Sequence, residues 1–301
     1  MLFCYVEKDF RPATLDIIDQ ANGIIDEYQR LGFSLTLRQL YYQFVSRELL
    51  VNKQSEYNRL GSIINDARLA GLIDWTAIED RTRNLQAVST WDNPTDILNA
   101  AWMSYKTDKW KEQPYRIEVW IEKDALTGVI EPICKELEIP FFACSGYNSQ
   151  SEQWRAAQRF AKYVLDDRQN VIVLHLGDHD PSGIDMTRDN EERLKMLMAG
   201  DCSWDLEVVR VALNMDQVEE YKPPPNPAKL TDSRSDDYVL EYGKKSWELD
   251  ALSPPVIHSL IKHHVMNYRD QDLWDKAVEA EQADKDLMAD MIKQLGEDND
   301  Q

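Results

Sequence analysis

The chain has 301 residues, enough for two modest domains with their own cores, and its 43% apolar content with nine tryptophans and thirteen tyrosines excludes a disordered polymer. No apolar run approaches a membrane span, and MLFCYVEKDFRP lacks the basic and apolar regions of a signal peptide, so a soluble, cytoplasmic protein is expected, nucleoid-associated if prokaryotic. The formal charge of −20 argues against indiscriminate phosphate binding, yet residues 30 to 83 hold eight basic against six acidic side chains, whereas residues 279 to 301 hold two against eight.

Residues 1–105 read as helices followed by a short β element. TLDIIDQANGIIDEYQRLG has helical apolar spacing, with Thr14 as N-cap and Gly32 as stop. TLRQLYYQFVSREL opens on Thr36 and Gln39, a capping-box pair, and lines up Leu37, Leu40, Tyr41, Phe44 and Val45. A third helix is expected from Ser55 to about Ala70, with Asn58, Arg59, Ser62 and Asn65 outward and Arg68 near its end. GLIDWTAIEDRTR then suits a two-stranded wing, so this N-terminal helical domain reads as a winged helix whose third helix, with Arg59, Ser62, Asn65 and Arg68, would meet double-stranded DNA.

From residue 106 to about 270 strands alternate with helices. RIEVWI, FFACS, VIVLHL and LEVVRVAL are the strands, with helices between them from Ala125, Ser151 and Thr187. That order predicts an α/β domain with a mostly parallel sheet covered on both faces. YKPPPNPAKL reads as an extended loop, and helices from about Pro254 and Asp272 close the chain, the last running into an acidic, solvated tail over 271–301. The four cysteines form no C-x-x-C pair and read as free, buried thiols.

Ligands collect at the carboxyl ends of parallel strands, because loops and helix N-termini gather there. Glu122 ends the first strand, and LGDHDPSG places Asp178 and Asp180 after the third. Three unpaired carboxylates repel one another; an oxygen-only set of this kind suits Mg²⁺ or Mn²⁺. The alternative is that Asp178 or Asp180 caps the following helix. His179, pointing the other way, is expected to pack against the sheet. In the second helix Tyr41 shares the apolar face, whereas Tyr42 falls with Arg38 and Ser46. A tyrosine hydroxyl beside a guanidinium is how a nucleophile aimed at a phosphate would be furnished; a surface tyrosine stacked on Arg38 is the plainer reading.

TLRQLYYQFVSREL with IINDARLAGLIDW resembles the catalytic winged-helix domain of the topoisomerase VI A subunit and its relative, the meiotic double-strand-break transesterase. IEVWIEKDAL, CSGYNSQS, LGDHDPSGIDM and KSWELDAL resemble, in the same order, the segments of that family's Toprim domain, and the resemblance spans roughly residues 34 to 255. It implies Tyr42 as nucleophile with Arg38 as phosphate partner, Glu122, Asp178 and Asp180 as Mg²⁺ ligands, and Lys123, Lys245 and Glu248 as supporting groups. It further implies a homodimer in which the tyrosine of one subunit reaches the metal of the other and a 5′-phosphotyrosyl link forms. The chain departs from the family in having Ser149 and Gln150 where an aspartate is usual, and it carries no ATPase domain, so ATP-driven strand passage would require a separate polypeptide. A Toprim nuclease using metal-activated water, or a non-catalytic DNA-binding or regulatory subunit, are the competing readings.

Overall fold

The computed structural model describes residues 2–78, 88–144, 149–198, 205–227 and 235–299. Among them are eleven α-helices and a four-stranded parallel sheet, so the chain is an α/β protein. No described helix is long and apolar enough to cross a membrane.

Three helices come first: α1 (Pro12–Arg30), α2 (Leu37–Ser46) and α3 (Gln54–Leu69). The first begins two residues before Thr14, because Pro12 has its φ preset for an N-terminal turn and needs no amide partner. The second starts at the expected capping box: the Gln39 amide N–H donates to Thr36 Oγ1 (3.3 Å) and the Thr36 N–H to Gln39 Oε1 (2.9 Å). Ile18, Ile24, Leu40, Phe44, Leu60 and Ile64 form the core between these helices. In the segment read as a wing, residues 71–78 make turns and one parallel bridge, Leu35 to Ile78; its remaining residues, 79–83, lie outside the described ones, as do residues 145–148 of the glycine loop.

The sheet has strand order β2 (Phe141–Ala143), β1 (Tyr115–Ile121), β3 (Asn170–Leu176), β4 (Leu206–Ala212). Alternation along the strands separates two faces. Ile117, Val119, Ile121, Ile172 and Leu174 pack with α5 (Thr127–Glu136) and α10 (Pro254–Tyr268). Trp120, Val171 and Val173 pack instead with α6 (Gln150–Leu165) and α7 (Pro181–Met198). All strands run the same way, so their carboxyl ends share one edge, where Glu122 and Asp178 follow β1 and β3.

Beyond the expected elements lie α4 (Pro94–Ser104), α8 (Met215–Tyr221) and α9 (Ser235–Tyr242). The proline-rich loop contributes β5 (Asn226–Pro227), which pairs antiparallel with β6 (Lys245–Ser246). The last helix, α11 (Gln271–Asn299), returns to α4: the Trp102 indole N–H donates to the Lys285 carbonyl (2.9 Å) and the Tyr105 hydroxyl to Asp284 (2.8 Å). Cys134 and Cys144 are buried as expected, but Cys4 is exposed; Cys202 lies outside the described residues.

Candidate functional site

The GDHDPSG turn uses glycine where space is tight: at Gly183 a larger residue would collide with backbone, and at Gly177 it would have to displace the end of the Glu122 side chain. A Cβ on Gly177 would stand 2.9 Å from Glu122 Oε2, and one on Gly183 would stand 2.2 Å from the Asp178 carbonyl oxygen. With that room, the Asp178 N–H donates to Glu122 Oε2 at 2.8 Å. Asp178 Oδ1 accepts the Leu249 N–H (2.7 Å) and pairs with Lys123 Nζ (3.0 Å). Asp180 Oδ1 accepts the Gly183 N–H (2.7 Å) and the Ser182 hydroxyl (2.9 Å), so the helix-cap alternative holds for this oxygen, and α7 starts at Pro181 rather than at Thr187. Arg210 stitches the turn from beneath, donating to the carbonyls of Asp178 (2.6 Å) and Gly183 (2.8 Å). His179 is buried, but not against the sheet: its ring packs with Tyr238, Tyr242 and Trp247, its Nδ1 lies 2.8 Å from the Tyr238 hydroxyl, and its backbone forms an antiparallel bridge with Trp247.

Across from this turn sits α2. Tyr41 is structural: its hydroxyl accepts the Lys53 N–H (2.8 Å) and lies 3.1 Å from the Lys53 carbonyl. Tyr42, expected on a surface face, is only 4% exposed, because the short 3₁₀ turn Leu249–Ala251 packs over α2 and covers it. Its hydroxyl is 3.4 Å from Arg38 Nη2, and the guanidinium is held by Glu248 (2.6 Å) and Asp250 (2.8 Å). Lys123 reaches the same two carboxylates, at 2.8 Å and 3.0 Å. One cavity of about 260 Å³ is lined by Arg38, Tyr42, Asp178, Asp180, Trp247 and Glu248, among others; Glu122 stands behind Asp178, off its wall.

The electrostatics follow from burial and crowding. Burial and the neighbouring Glu122 push Asp178 up to about 7 against the pull of Lys123, and burial with Asp180 raises Glu122. Glu248 is held down at about 2: burial opposes its charge, but Lys123 and Arg38 more than offset it. Burial, then Asp250 and Glu248, raise the Tyr42 phenol, with Arg38 opposing.

Five acidic side chains, Glu122, Asp178, Asp180, Glu248 and Asp250, crowd against the cations Arg38, Lys123 and Arg210, and Lys53 lines the same cavity. An all-oxygen donor set of this kind fits a hard divalent cation in chemistry. In the arrangement seen, Lys123 holds the centre of the acidic side chains, and among the described residues no three His, Cys, Asp or Glu side chains form a ready-made metal-binding group.

The residues expected to meet DNA divide. Arg59, Ser62 and Asn65 are exposed on α3, Arg59 paired with Glu56 at 2.7 Å. Arg68 turns inward, its guanidinium bonded to the carbonyls of Trp75 and Ile78 and lying over the Trp75 ring. Lys245 is exposed on β6 and stands outside the cavity wall. Asp250 and Arg210 were not singled out from the sequence. The signal for Asp250 was a second acid two residues after Glu248 in the otherwise apolar WELDAL; Arg210 had none, since apart from the Thr187 hydroxyl its partner atoms are backbone carbonyls. No model of a known protein family matches the chain, and no curated protein matches it.

Proposed function

We propose that the chain is a Mg²⁺-dependent DNA-cleaving transesterase of the topoisomerase VI A kind, with a winged-helix-like N-terminal domain set on a Toprim-like sheet. The observation that carries this reading is the shared cavity: the Tyr42 hydroxyl, the Arg38 guanidinium and the Asp178–Asp180 turn face one another across it. Arg38 is placed to hold a phosphate oxygen while Tyr42 Oη bonds to phosphorus. The bond from phosphorus to the 3′-oxygen then breaks, leaving a 5′-phosphotyrosyl link; the phenolic proton leaves to water and the departing oxygen takes one up. Glu122, Asp178 and Asp180 would hold Mg²⁺ or Mn²⁺, which when bound supplies charge neutralisation at the phosphate. Double-stranded DNA is the substrate, with a separate ATPase polypeptide required for any ATP-driven strand passage.

Burial of Tyr42, and the commitment of Arg38 to Glu248 and Asp250, favour a second reading in which water is the nucleophile and the chain is a Toprim-type nuclease. Incubation with supercoiled DNA and Mg²⁺, followed by detergent denaturation, separates the two. Transesterification leaves protein covalently on DNA, and Tyr42→Phe abolishes both cleavage and adduct. If Tyr42→Phe still cleaves, the tyrosine mechanism is lost and the nuclease reading stands.

A further inference from the structure

Tyr42 is parked rather than presented. Its side chain is 4% exposed beneath the 3₁₀ turn Leu249–Ala251, and two nitrogens of its guanidinium neighbour are already committed: Arg38 Nη2 meets Glu248 at 2.6 Å and Arg38 Nε stands 2.8 Å from Asp250. A phosphodiester reaches a hydroxyl so covered only after α2 and the turn part. Delivery of the tyrosine to a second subunit, which the family resemblance implies, likewise begins with leaving this position.

The closure is ionic, and it is built to be undone. Glu248 and Asp250 each touch both Arg38 and Lys123, the lysine at 2.8 Å and 3.0 Å. Breaking a buried pair is costly when it leaves a charge alone, but here the departure of Arg38 strands neither carboxylate, because Lys123 stays as counter-ion. The arginine side chain is 45% exposed, so anions can reach it, and Asp250 Oδ2 accepts no hydrogen bond, so that contact is attraction without a directional bond. The rest of the seam is thin. The Asn52 amide donates to Asn226 Oδ1 (2.7 Å), the Asn226 amide donates to Glu248 Oε1 (3.1 Å), and Phe33 rests edge-on against the His258 ring. Of the turn itself, only the small Ala251 joins the core of the N-terminal helices, so parting it from α2 uncovers little apolar surface. DNA supplies the competitor for the arginine, since phosphodiester oxygens accept both arms of a guanidinium.

We propose that Glu248 and Asp250 form a latch: they hold Arg38, and with it the tyrosine helix, shut against the chain's own aspartate turn until a backbone phosphate takes the guanidinium and frees Tyr42 to attack. This rests on the transesterase reading above. Lys123 is the fixed half of the device and Arg38 the moving half.

Tyr42→Cys, in a Cys4→Ser chain, reports release without any cleavage. The introduced thiol meets N-ethylmaleimide only when the turn lifts, and mass spectrometry of the α2 peptide gives the rate. Glu248→Gln and Asp250→Asn keep the side-chain shape and remove the charge, so a faster reaction reports a weaker latch and not a hole. Each is expected to speed alkylation by roughly tenfold, the equivalent of one hydrogen bond to a charged group. Inorganic phosphate is expected to speed it in the unsubstituted latch, compared with chloride at equal ionic strength. Melting curves check that each chain is folded; if one carboxylate variant is not, the other carries the measurement. Rates unmoved by the substitutions, or by phosphate, would overturn the latch.

A lock supplies the second arm. Asn52→Cys with Asn226→Cys, with Tyr42 intact and Cys4→Ser retained, places two thiols across the cavity mouth, where oxidation ties the helical half to the sheet half. The oxidised chain is expected to form no covalent adduct with supercoiled DNA and Mg²⁺, and dithiothreitol to restore it. Adducts undiminished by the bond would overturn the latch and leave the transesterase reading in place. Absence of any adduct from the wild type would instead remove that reading, while the alkylation rates would still decide whether the tyrosine is held.

Discussion

At the scale of single residues the paired tyrosines separate by what their hydroxyls touch. Tyr41 satisfies the Lys53 amide, so Tyr41→Phe strands a donor and should cost about 1–3 kcal/mol of stability while leaving the cavity chemistry intact. Tyr42→Phe gives up only a 3.4 Å contact to Arg38 and should shift the denaturation midpoint little while eliminating covalent adducts. Asp178 supplies a pH test. Its carboxyl is raised from an ordinary value of 3.8 to about 7, so the folded state disfavours the charged form. The stability this group confers is present below pH 4 and lost as the pH rises toward 7. In chelator-containing buffer, Asp178→Asn should therefore gain thermal stability relative to wild type between pH 4.5 and 7.5; a difference that does not change with pH would contradict the assignment. Much of this scale was legible in the sequence. The i, i+4 spacing paired Arg38 with Tyr42, and the D-x-D after an apolar strand marked the turn. Burial of Tyr42 was not legible, because the residues that cover it arrive two hundred positions later and no local period announces them.

Among the elements, the helices that could be read were those that bury a stripe of their own. α1 and α2 carry apolar residues at helical spacing and a sequence-encoded start, and the parallel strands read as apolar runs. The helix α4 has no buried residue, so its pattern holds no information about its partner, and it was missed for that reason. The aspartate turn shows an element serving two ends. Asp180→Ala removes the cap of α7 and should cost roughly 0.5–2 kcal/mol, independently of any effect on cleavage. Gly183→Ala should be worse, since the added carbon meets the Asp178 carbonyl at 2.2 Å and must displace the backbone on which that carboxylate is carried. A melting curve read beside an adduct assay distinguishes the two: loss of activity with a small loss of stability for the first, loss of both for the second.

For the whole molecule, the charge of −20 and the cavity impose opposite demands. Few cations face the cavity and its flank; with Arg38, Lys53 and Arg59 engaged, the slope of log K against log salt should be about −3, far from that of a protein that wraps a duplex in lysines. Fluorescence anisotropy over a salt series measures it, and a slope steeper than about −6 would require a DNA surface elsewhere. The closure of the fold by its last helix is separable from the chemistry. Lys109 is buried between Glu138 (2.8 Å) and Glu281 (2.7 Å), so Glu281→Ala should lower the denaturant midpoint by the equivalent of about 1–3 kcal/mol with an unchanged slope. Adduct formation per folded molecule should not change, as no cavity residue touches that pair.

The ion pair between Arg38 and Glu248 closes a loop of 210 residues, and this has a consequence for how the protein is made. At about 5–20 residues per second, ribosomes need roughly ten to forty seconds to add the second partner after the first. Throughout that interval the tyrosine helix has been synthesised without the segment that covers it or the carboxylates that hold its arginine. A polypeptide interrupted before residue 248 therefore lacks a formed cavity, so an incomplete chain has no assembled site. Long sequence separation, usually counted as a cost in folding speed, here makes site assembly one of the last events of synthesis.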